Sequence, residues 1–381
     1  MVDWALASPT SDATAGLFSP FTCRGMSLAN RVVMAPMTRE QAPGGVPTRA
    51  MADYYRRRAA GGTGLIITEG AAPNPAGHFG SAVPRCYGED ALEGWRQVVE
   101  AVHAEGAAIL VQLWHVGAFE PSLVGMQDSL LPAPVRLSPS GLAAPGRPLG
   151  RAMSHEEIVA TIEDFATACC GAMEAGFDGV EIHGAHGYLP DQFLWSGTNL
   201  RDDAWGGELA GRMRFVRELV QACRSALGPR KALSYRYSQW KQLDYAARIA
   251  DTPDELAFFL AALRESGVDL LHCSTRRYWE PAFPGSDRCL ADWSRELGRL
   301  PVIAVGSVTL GTDLKSPGGR DHAEALPDQV EDVGRRIAAG EFDLIALGRA
   351  LLANPDWARK VQNGQLDQLA DFNRTQLDVL D

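Results

Sequence analysis

Between Gly179 and Tyr188 the chain reads GVEIHGAHGY, an apolar run that breaks at once into His183, Gly184, Ala185, His186, Gly187 and Tyr188. Two imidazoles and a phenol therefore stand together where a run with the composition of a buried strand gives way to a loop. In a parallel α/β protein the loop after the C-terminal end of a strand is where ligands bind, because the strand is rigid while its end faces open space. This loop is accordingly the first active-site candidate. The two histidines also have the makings of a metal half-site, since neutral imidazole is a common zinc ligand. No second cluster of His, Asp or Cys with ligand spacing accompanies them, so no metal is expected.

The ends of other apolar runs carry polar groups or glycines in the same way. One run ends Ala35, Pro36, Met37, Thr38, Arg39; another ends Thr68, Glu69, Gly70; a third continues Gln112, Leu113, Trp114, His115. Later runs end Tyr235, Arg236, Tyr237, Ser238, then Val305, Gly306, Ser307, then Leu347, Gly348, Arg349. Gly306, Gly348 and Arg349 suit an anion held by backbone N–H groups and a guanidinium, as in the phosphate site of a barrel after its seventh and eighth strands. Gln112 and Thr38 can exchange hydrogen bonds with a flat heteroaromatic ring, and Arg236 can hold charge against a ring that becomes anionic on reduction. A flavin mononucleotide satisfies that set. Each residue alone has a plainer reading: Gln112 and Thr38 as satisfied turn residues, Arg236 as an ion pair with Asp244 or Glu181, Trp195 and Trp205 as packing.

Eight apolar runs position these ends: 31–36, 64–70, 107–113, 179–183, 232–236, 268–273, 301–306 and 342–348. Helical patterns lie between them over 48–60, 91–105, 155–175, 209–227, 252–266, 290–298 and 329–339. In the third of these, Ile158, Ile162, Phe165, Cys169 and Met173 fall at three- and four-residue steps behind a Ser154/Glu157 capping box. Cys169 and Cys170 are both expected to pack in the core. Near-continuous apolar strands alternating with amphipathic helices indicate a parallel sheet covered on its outside. Eight units favour an α/β fold of the (β/α)8 TIM-barrel type, which needs ~250 residues. The surplus reads as a loose lead-in over 1–16, a Pro- and Gly-rich cap inserted at about 114–153 with a short hairpin, and a polar insertion over 310–327. No repeat or linker divides the chain, so 1–381 is expected to form a single domain.

The chain has 381 residues, 46% hydrophobic and 22% charged, with a formal net charge of -11, which argues against nucleic acid and anionic membrane surfaces. Its seven cysteines form no CxxC pair and are expected to be reduced thiols. No apolar run approaches the ~20 residues that span a bilayer, and a soluble, cytoplasmic protein is expected. A homodimer is left open as the assembly.

Taken together, APMTR, GTGLIITEG, VQLWH, GFDGVEIHGAHGYLPDQFLWSGTNLRDDAWGG, YRYS, VIAVGS and DLIALGRALLANPDW, in that order and spacing, resemble the old yellow enzyme family of FMN-dependent ene-reductases. The resemblance runs from about Leu17 to Lys360. It implies a (β/α)8 barrel with tightly bound FMN at the C-terminal mouth, NAD(P)H as reductant and a small α,β-unsaturated carbonyl compound as substrate. It assigns Pro36, Thr38, Gly70, Gln112 and Arg236 to the flavin ring and Gly306, Ser307, Gly348 and Arg349 to its phosphate. His183 and His186 would bind the substrate carbonyl, Tyr188 would deliver a proton, and Trp114 would shape the pocket. Tyr278 and Phe283, after the sixth run, are expected to enter the pocket and limit substrate size.

The sequence departs from the family where FLWSGTNL follows Asp191 and Gln192 and where Trp205 stands in place of a commoner Tyr. Two rivals stay open. The same site could run oxidatively as a desaturase or oxidase, and a flavin-free barrel lyase or isomerase could use the phosphate site for its substrate. The second leaves Gln112, Thr38 and Arg236 without a task. Longer relatives carrying an iron–sulfur cluster do not match the cysteine spacing.

Overall fold

The structure, a computed structural model, describes residues 14–120, 122, 135–314 and 316–381. Most of the expected lead-in, residues 1–13, and a stretch of the cap, residues 121 and 123–134, lie outside the described residues.

Within the described residues eight parallel strands close into a barrel: β1 (Val32–Met34), β2 (Leu65–Ala71), β3 (Ala108–Leu113), β4 (Gly179–His183), β5 (Ala232–Tyr237), β6 (Leu270–Ser274), β7 (Val302–Val305) and β8 (Leu344–Leu347). Neighbours in the sequence are neighbours in the barrel, and β8 pairs back onto β1. Each strand falls within or against one of the eight apolar runs. Alternation of side chains explains why those runs are apolar throughout. Val32 and Met34 face the helices, whereas Val33 and Ala35 join Leu65, Ile67, Leu110, Leu270, Ile303 and Leu344 inside the barrel. A small antiparallel hairpin, Phe21–Cys23 with Met26–Leu28, plugs the floor with Cys23, Met26 and Leu28.

The outer layer consists of α1 (Arg49–Ala60), α2 (Glu89–His103), α3 (His155–Glu174), a short extra α4 (Leu189–Leu194), α5 (Leu209–Leu227), α6 (Pro253–Ser266), α7 (Leu290–Gly298) and α8 (Gln329–Ala338), followed by α9 (Arg349–Ala353) and α10 (Trp357–Gln362). Their starts are chemically marked. Thr48, Ser154 and Thr252 each accept a backbone N–H of the first turn, and Ser154 and Glu157 make both bonds of a capping box. On α3, Ile158, Ile162, Phe165 and Cys169 are buried, but Cys170 is exposed. The expectation that both cysteines are core residues is thus corrected, since adjacent helical residues are about 100° apart and cannot share one face.

The cap contains a hairpin, Leu142–Ala144 with Arg147–Pro148, beside a parallel pair, Leu137–Ser138 with Arg151–Ala152. The 310–327 segment folds back on itself through Leu310 and Ala325, and its His322–Ala323 pairs with Phe372–Asn373. No helix among the described residues is long and apolar enough to cross a membrane.

Candidate active site

The barrel interior changes character from floor to mouth. Parallel register places Gln112 of β3, Glu181 of β4 and Ser234 of β5 side by side, all inward and buried. Glu181 accepts from Gln112 Nε2 at 2.8 Å and from Ser234 Oγ at 2.9 Å, and His272 Nδ1 lies 2.8 Å from its second oxygen. Burial alone would raise the Glu181 pKa. His272, Arg236 and Gln112 outweigh it and hold the carboxyl below its ordinary value, so the mouth rests on a buried carboxylate.

One layer above, Arg236 stands in register with both His183 and His272. It donates through Nη2 to Ser274 Oγ at 3.1 Å, while its Nε is buried without a partner. Ser274 Oγ is in turn 2.8 Å from His186 Nε2. The alternative pairing of Arg236 with Asp244 is not formed, and Glu181 acts on it as a neighbouring charge.

His183 ends β4, and Gly184 follows because a Cβ there would sit 2.2 Å from the Tyr235 hydroxyl. The chain then turns through two left-handed residues, His186 at φ 67° and Gly187 at φ 83°. A left-handed non-glycine residue is uncommon and has to be held by its surroundings. Here the His186 N–H donates to Ser238 Oγ and the Gly187 N–H to Asp191 Oδ2. This path gathers the rings: His183 lies 5.1 Å from His186 and 5.0 Å from Tyr188, centroid to centroid. Burial first, then the charges of Arg236 and His272, hold the His183 pKa well below that of an ordinary imidazole, so the ring is neutral. Its Nδ1 accepts the Ala185 N–H at 3.4 Å, which leaves the proton on Nε2. Burial pushes the Tyr188 phenol above its usual value, although a hydrogen bond with Gln242 and the Arg236 charge oppose this.

Two aromatic walls flank the trio. Trp114 stacks on Phe79 at 5.0 Å and meets Tyr188 edge-on at 5.0 Å, and Phe119 also meets Tyr188 edge-on at 5.0 Å. Trp240 stacks on His186 at 4.4 Å and leans on Tyr245. Trp114 also explains Gly70: a Cβ there would lie 2.5 Å from the indole.

The remaining candidates fall into two groups. Thr38, exposed, and Pro36, half-buried, follow β1 at the same mouth, where Glu69 Oε2 accepts the N–H groups of Arg39 and Glu40. At the ends of β7 and β8, Gly306 has φ 147° and a Cβ would meet Thr275 O at 2.7 Å, whereas Gly348 has ordinary clearance to Met37. Ser307 Oγ donates to Arg276 O. Arg349 donates from its two terminal nitrogens to Gly319 O and Thr312 O of the 310–327 segment. Tyr278 and Phe283 lie elsewhere. The Tyr278 hydroxyl donates to Asp332 of α8 at 2.7 Å, and Phe283 packs edge-on against Trp293 of α7. The ring contacts of both are with the helix layer and Phe342, and not with the rings of His183, His186 and Tyr188.

Ser274, His272, Trp240 and Gln242 were not found from sequence. His272 had a legible signal, a polar residue inside the apolar run LLHC, as did Glu181 in VEIH. Among the described residues, no group of three or more His, Cys, Asp or Glu could hold a metal ion.

The donor set fits an FMN. An unpartnered Arg236 Nε, a buried Gln112 amide and a neutral imidazole suit the edges of a ring, and the tight backbone at Gly306 suits an approaching phosphate. Comparison with known proteins agrees. Residues 16–321 match the model of the NADH:flavin oxidoreductase / NADH oxidase family. The chain is 36% identical to 12-oxophytodienoate reductase 7 of Oryza sativa subsp. japonica, over 90% of this chain and 86% of that one. It is 35% identical to a chanoclavine-I aldehyde reductase of Penicillium roqueforti, over 91% and 89%. A structure of morphinone reductase in complex with tetrahydroNAD superposes with a TM-score of 0.77 at 29% identity, covering 95% of this chain and 94% of the other. The chain is therefore an oxidoreductase of the NADH:flavin oxidoreductase / NADH oxidase family, that of the old yellow enzymes, with FMN as its cofactor and NAD(P)H as its reductant.

Proposed function

We propose that this protein is an ene-reductase, which reduces the carbon–carbon double bond of a small α,β-unsaturated carbonyl compound in a ping-pong cycle with NAD(P)H. The observation that carries the reading is the convergence of the His183, His186 and Tyr188 rings at one strand end, beneath two aromatic walls. FMN, when bound, would supply the two-electron redox chemistry that links NAD(P)H to the alkene. Gln112, Arg236, Pro36, Thr38 and Gly70 would lie at its ring, and Gly306, Ser307, Gly348 and Arg349 at its phosphate.

The chain's own residues account for the rest of the step. Hydride arrival at the β-carbon moves an electron pair onto the carbonyl oxygen, and two preplaced imidazole N–H groups stabilise the charge that develops. The neutral state of His183 suits it to donate rather than to repel Arg236. His186 donates from Nδ1 if Ser274, which accepts from Arg236, gives its own hydrogen to Nε2. Tyr188 transfers its phenolic proton to the α-carbon and is reprotonated from water, and the raised pKa keeps that proton in place beforehand. The Phe79, Trp114 and Phe119 wall excludes water from the developing enolate and selects a flat, largely apolar substrate.

The test is a visible spectrum of the purified protein, then anaerobic titration with NADPH or NADH and afterwards with cyclohexenone. The expected result is flavin bands that bleach with the nicotinamide and return with the enone. Bands that return only with oxygen would replace the reading with an oxidase or desaturase, and a protein that takes up no FMN would overturn it.

A further inference from the structure

Behind the catalytic loop, the segment after β5 carries two residues that the reaction as described does not use. Lys241 is fully buried, and its Nζ lies 2.5 Å from Asp191 Oδ1, an equally buried carboxylate at the start of α4. The other oxygen of Asp191 accepts the Gly187 N–H at 2.7 Å. The same segment also holds the loop through its backbone, since the Gln242 N–H donates to His186 O at 3.1 Å and Lys241 bridges to His186. A dry ion pair and a backbone bridge thus grip both sides of the left-handed turn between His186 and Tyr188. Gln242, which follows Lys241 and is only half-buried, hydrogen-bonds the Tyr188 phenol.

We propose that Gln242 is a positioning residue for the proton-delivering phenol of Tyr188, and that the Lys241–Asp191 pair fixes the segment that presents it. This rests on the ene-reductase reading above. A phenol oxygen has one hydrogen and two lone pairs. When the Gln242 amide N–H donates to that oxygen, the phenolic hydrogen cannot be spent on Gln242 and is left for the α-carbon. The same N–H stabilises the phenolate that remains once the proton has gone, so the interaction strengthens as the step proceeds. Lys241 is too deeply buried to reach a substrate. Its task is geometric: the carboxylate it neutralises is the one that holds the Gly187 N–H, and a shift at Gly187 would carry both His186 and Tyr188 with it.

The test uses the FMN-loaded protein and four variants: Gln242→Leu, Tyr188→Phe, their combination, and Lys241→Met. Gln242→Leu is expected to slow reoxidation of the reduced flavin by cyclohexenone about tenfold or more, while flavin reduction by NADPH and the FMN dissociation constant stay within about twofold. In the Tyr188→Phe background, the same change should add nothing, because there is no longer a proton to position. Lys241→Met, if it folds, should slow reoxidation in preference to reduction; the Gln242 variants decide the matter where it does not fold. A Gln242→Leu protein that reoxidises at the parent rate, or that is slowed equally with and without the Tyr188 hydroxyl, would overturn the positioning role. A parent protein that cyclohexenone does not reoxidise at all would overturn the ene-reductase reading, and this inference with it.

Discussion

Arg236 and His186 meet on a single hydroxyl: Ser274 Oγ lies 3.1 Å from Arg236 Nη2 and 2.8 Å from His186 Nε2. A hydroxyl that accepts from a guanidinium has its own hydrogen to give, and giving it to Nε2 places the His186 proton on Nδ1. Ser274→Ala removes that choice: the Arg236 Nη2 donor loses this acceptor and the His186 Nε2 acceptor loses this donor, at a cost of about 1–3 kcal/mol. The expected outcome is a fall in enone reoxidation of about tenfold with a higher KM for the enone, and a smaller effect on reduction by NADPH. Stopped-flow measurement of the two half-reactions checks it, and equal slowing of both would place Ser274 with the flavin rather than with the carbonyl.

Glu69 gives the mouth a pH dependence of defined sign. Burial pushes its pKa up to about 7 from 4.5, against the Arg39 and Glu40 N–H groups and the Arg39 charge. The native state therefore holds this proton more tightly than the unfolded chain does. Its contribution to stability is fully present below about pH 4.5 and is lost as the pH rises through 7, a change of roughly 3 kcal/mol. Glu69→Gln keeps an acceptor for the two N–H groups and cannot titrate. Melting temperatures at pH 5 and pH 8 should differ less in the variant than in the parent; an unchanged difference would mean that Glu69 does not titrate in this window.

Gly306 and Gly348 separate strain from cofactor contact. At Gly306 a Cβ would meet Thr275 O at 2.7 Å in a backbone region that L-residues rarely adopt, and Gly306→Ala should lower stability by about 1–3 kcal/mol. At Gly348 a Cβ would meet only the Met37 side chain, Sδ at 3.4 Å and Cγ at 3.8 Å, both ordinary distances. Gly348→Ala should therefore leave the melting temperature of FMN-free protein unchanged while weakening FMN binding, read by quenching of flavin fluorescence. Unaltered FMN affinity in Gly348→Ala would remove that backbone from the phosphate cradle.

The barrel was legible because each strand is buried on both faces and so is written as an unbroken apolar run, with Gly179–His183 matching its strand end for end. Long helices were legible for a related reason: α5 and α7 bury one face, and the period of that face sets their limits. The six-residue α4 carries too few turns for a period to show, and its residues are buried all round. In the site, residues at strand ends were readable one strand at a time, but Ser274, His272 and Gln242 matter through partners 38 to 91 positions away in the chain. Spacing along one chain does not encode that kind of proximity, and only register across the barrel brings it about.

The ring contacts of Tyr278 and Phe283 lead to a contrast in substrate scope. The Tyr278 N–H is tied to Gly306 O, and its hydroxyl reaches Asp332. Asp332 also accepts from Arg335 and Arg336, so Tyr278→Phe removes one bond of several and should cost about 1 kcal/mol of stability. Because the ring contacts the helix layer and not the rings of His183, His186 and Tyr188, the ratio of kcat/KM for a small and a bulky enone should be the same in Tyr278→Phe as in the parent. Trp240 is placed oppositely: it is half-buried, covers one face of His186 at 4.4 Å, and is anchored by an indole N–H to Ser274 O at 3.2 Å. Trp240→Ala should therefore shift that ratio toward the bulky enone, by severalfold, while leaving His186 in place through Ser274. A Tyr278→Phe variant with altered enone selectivity, beside a Trp240→Ala variant without it, would put the size filter back on the β6 side of the barrel.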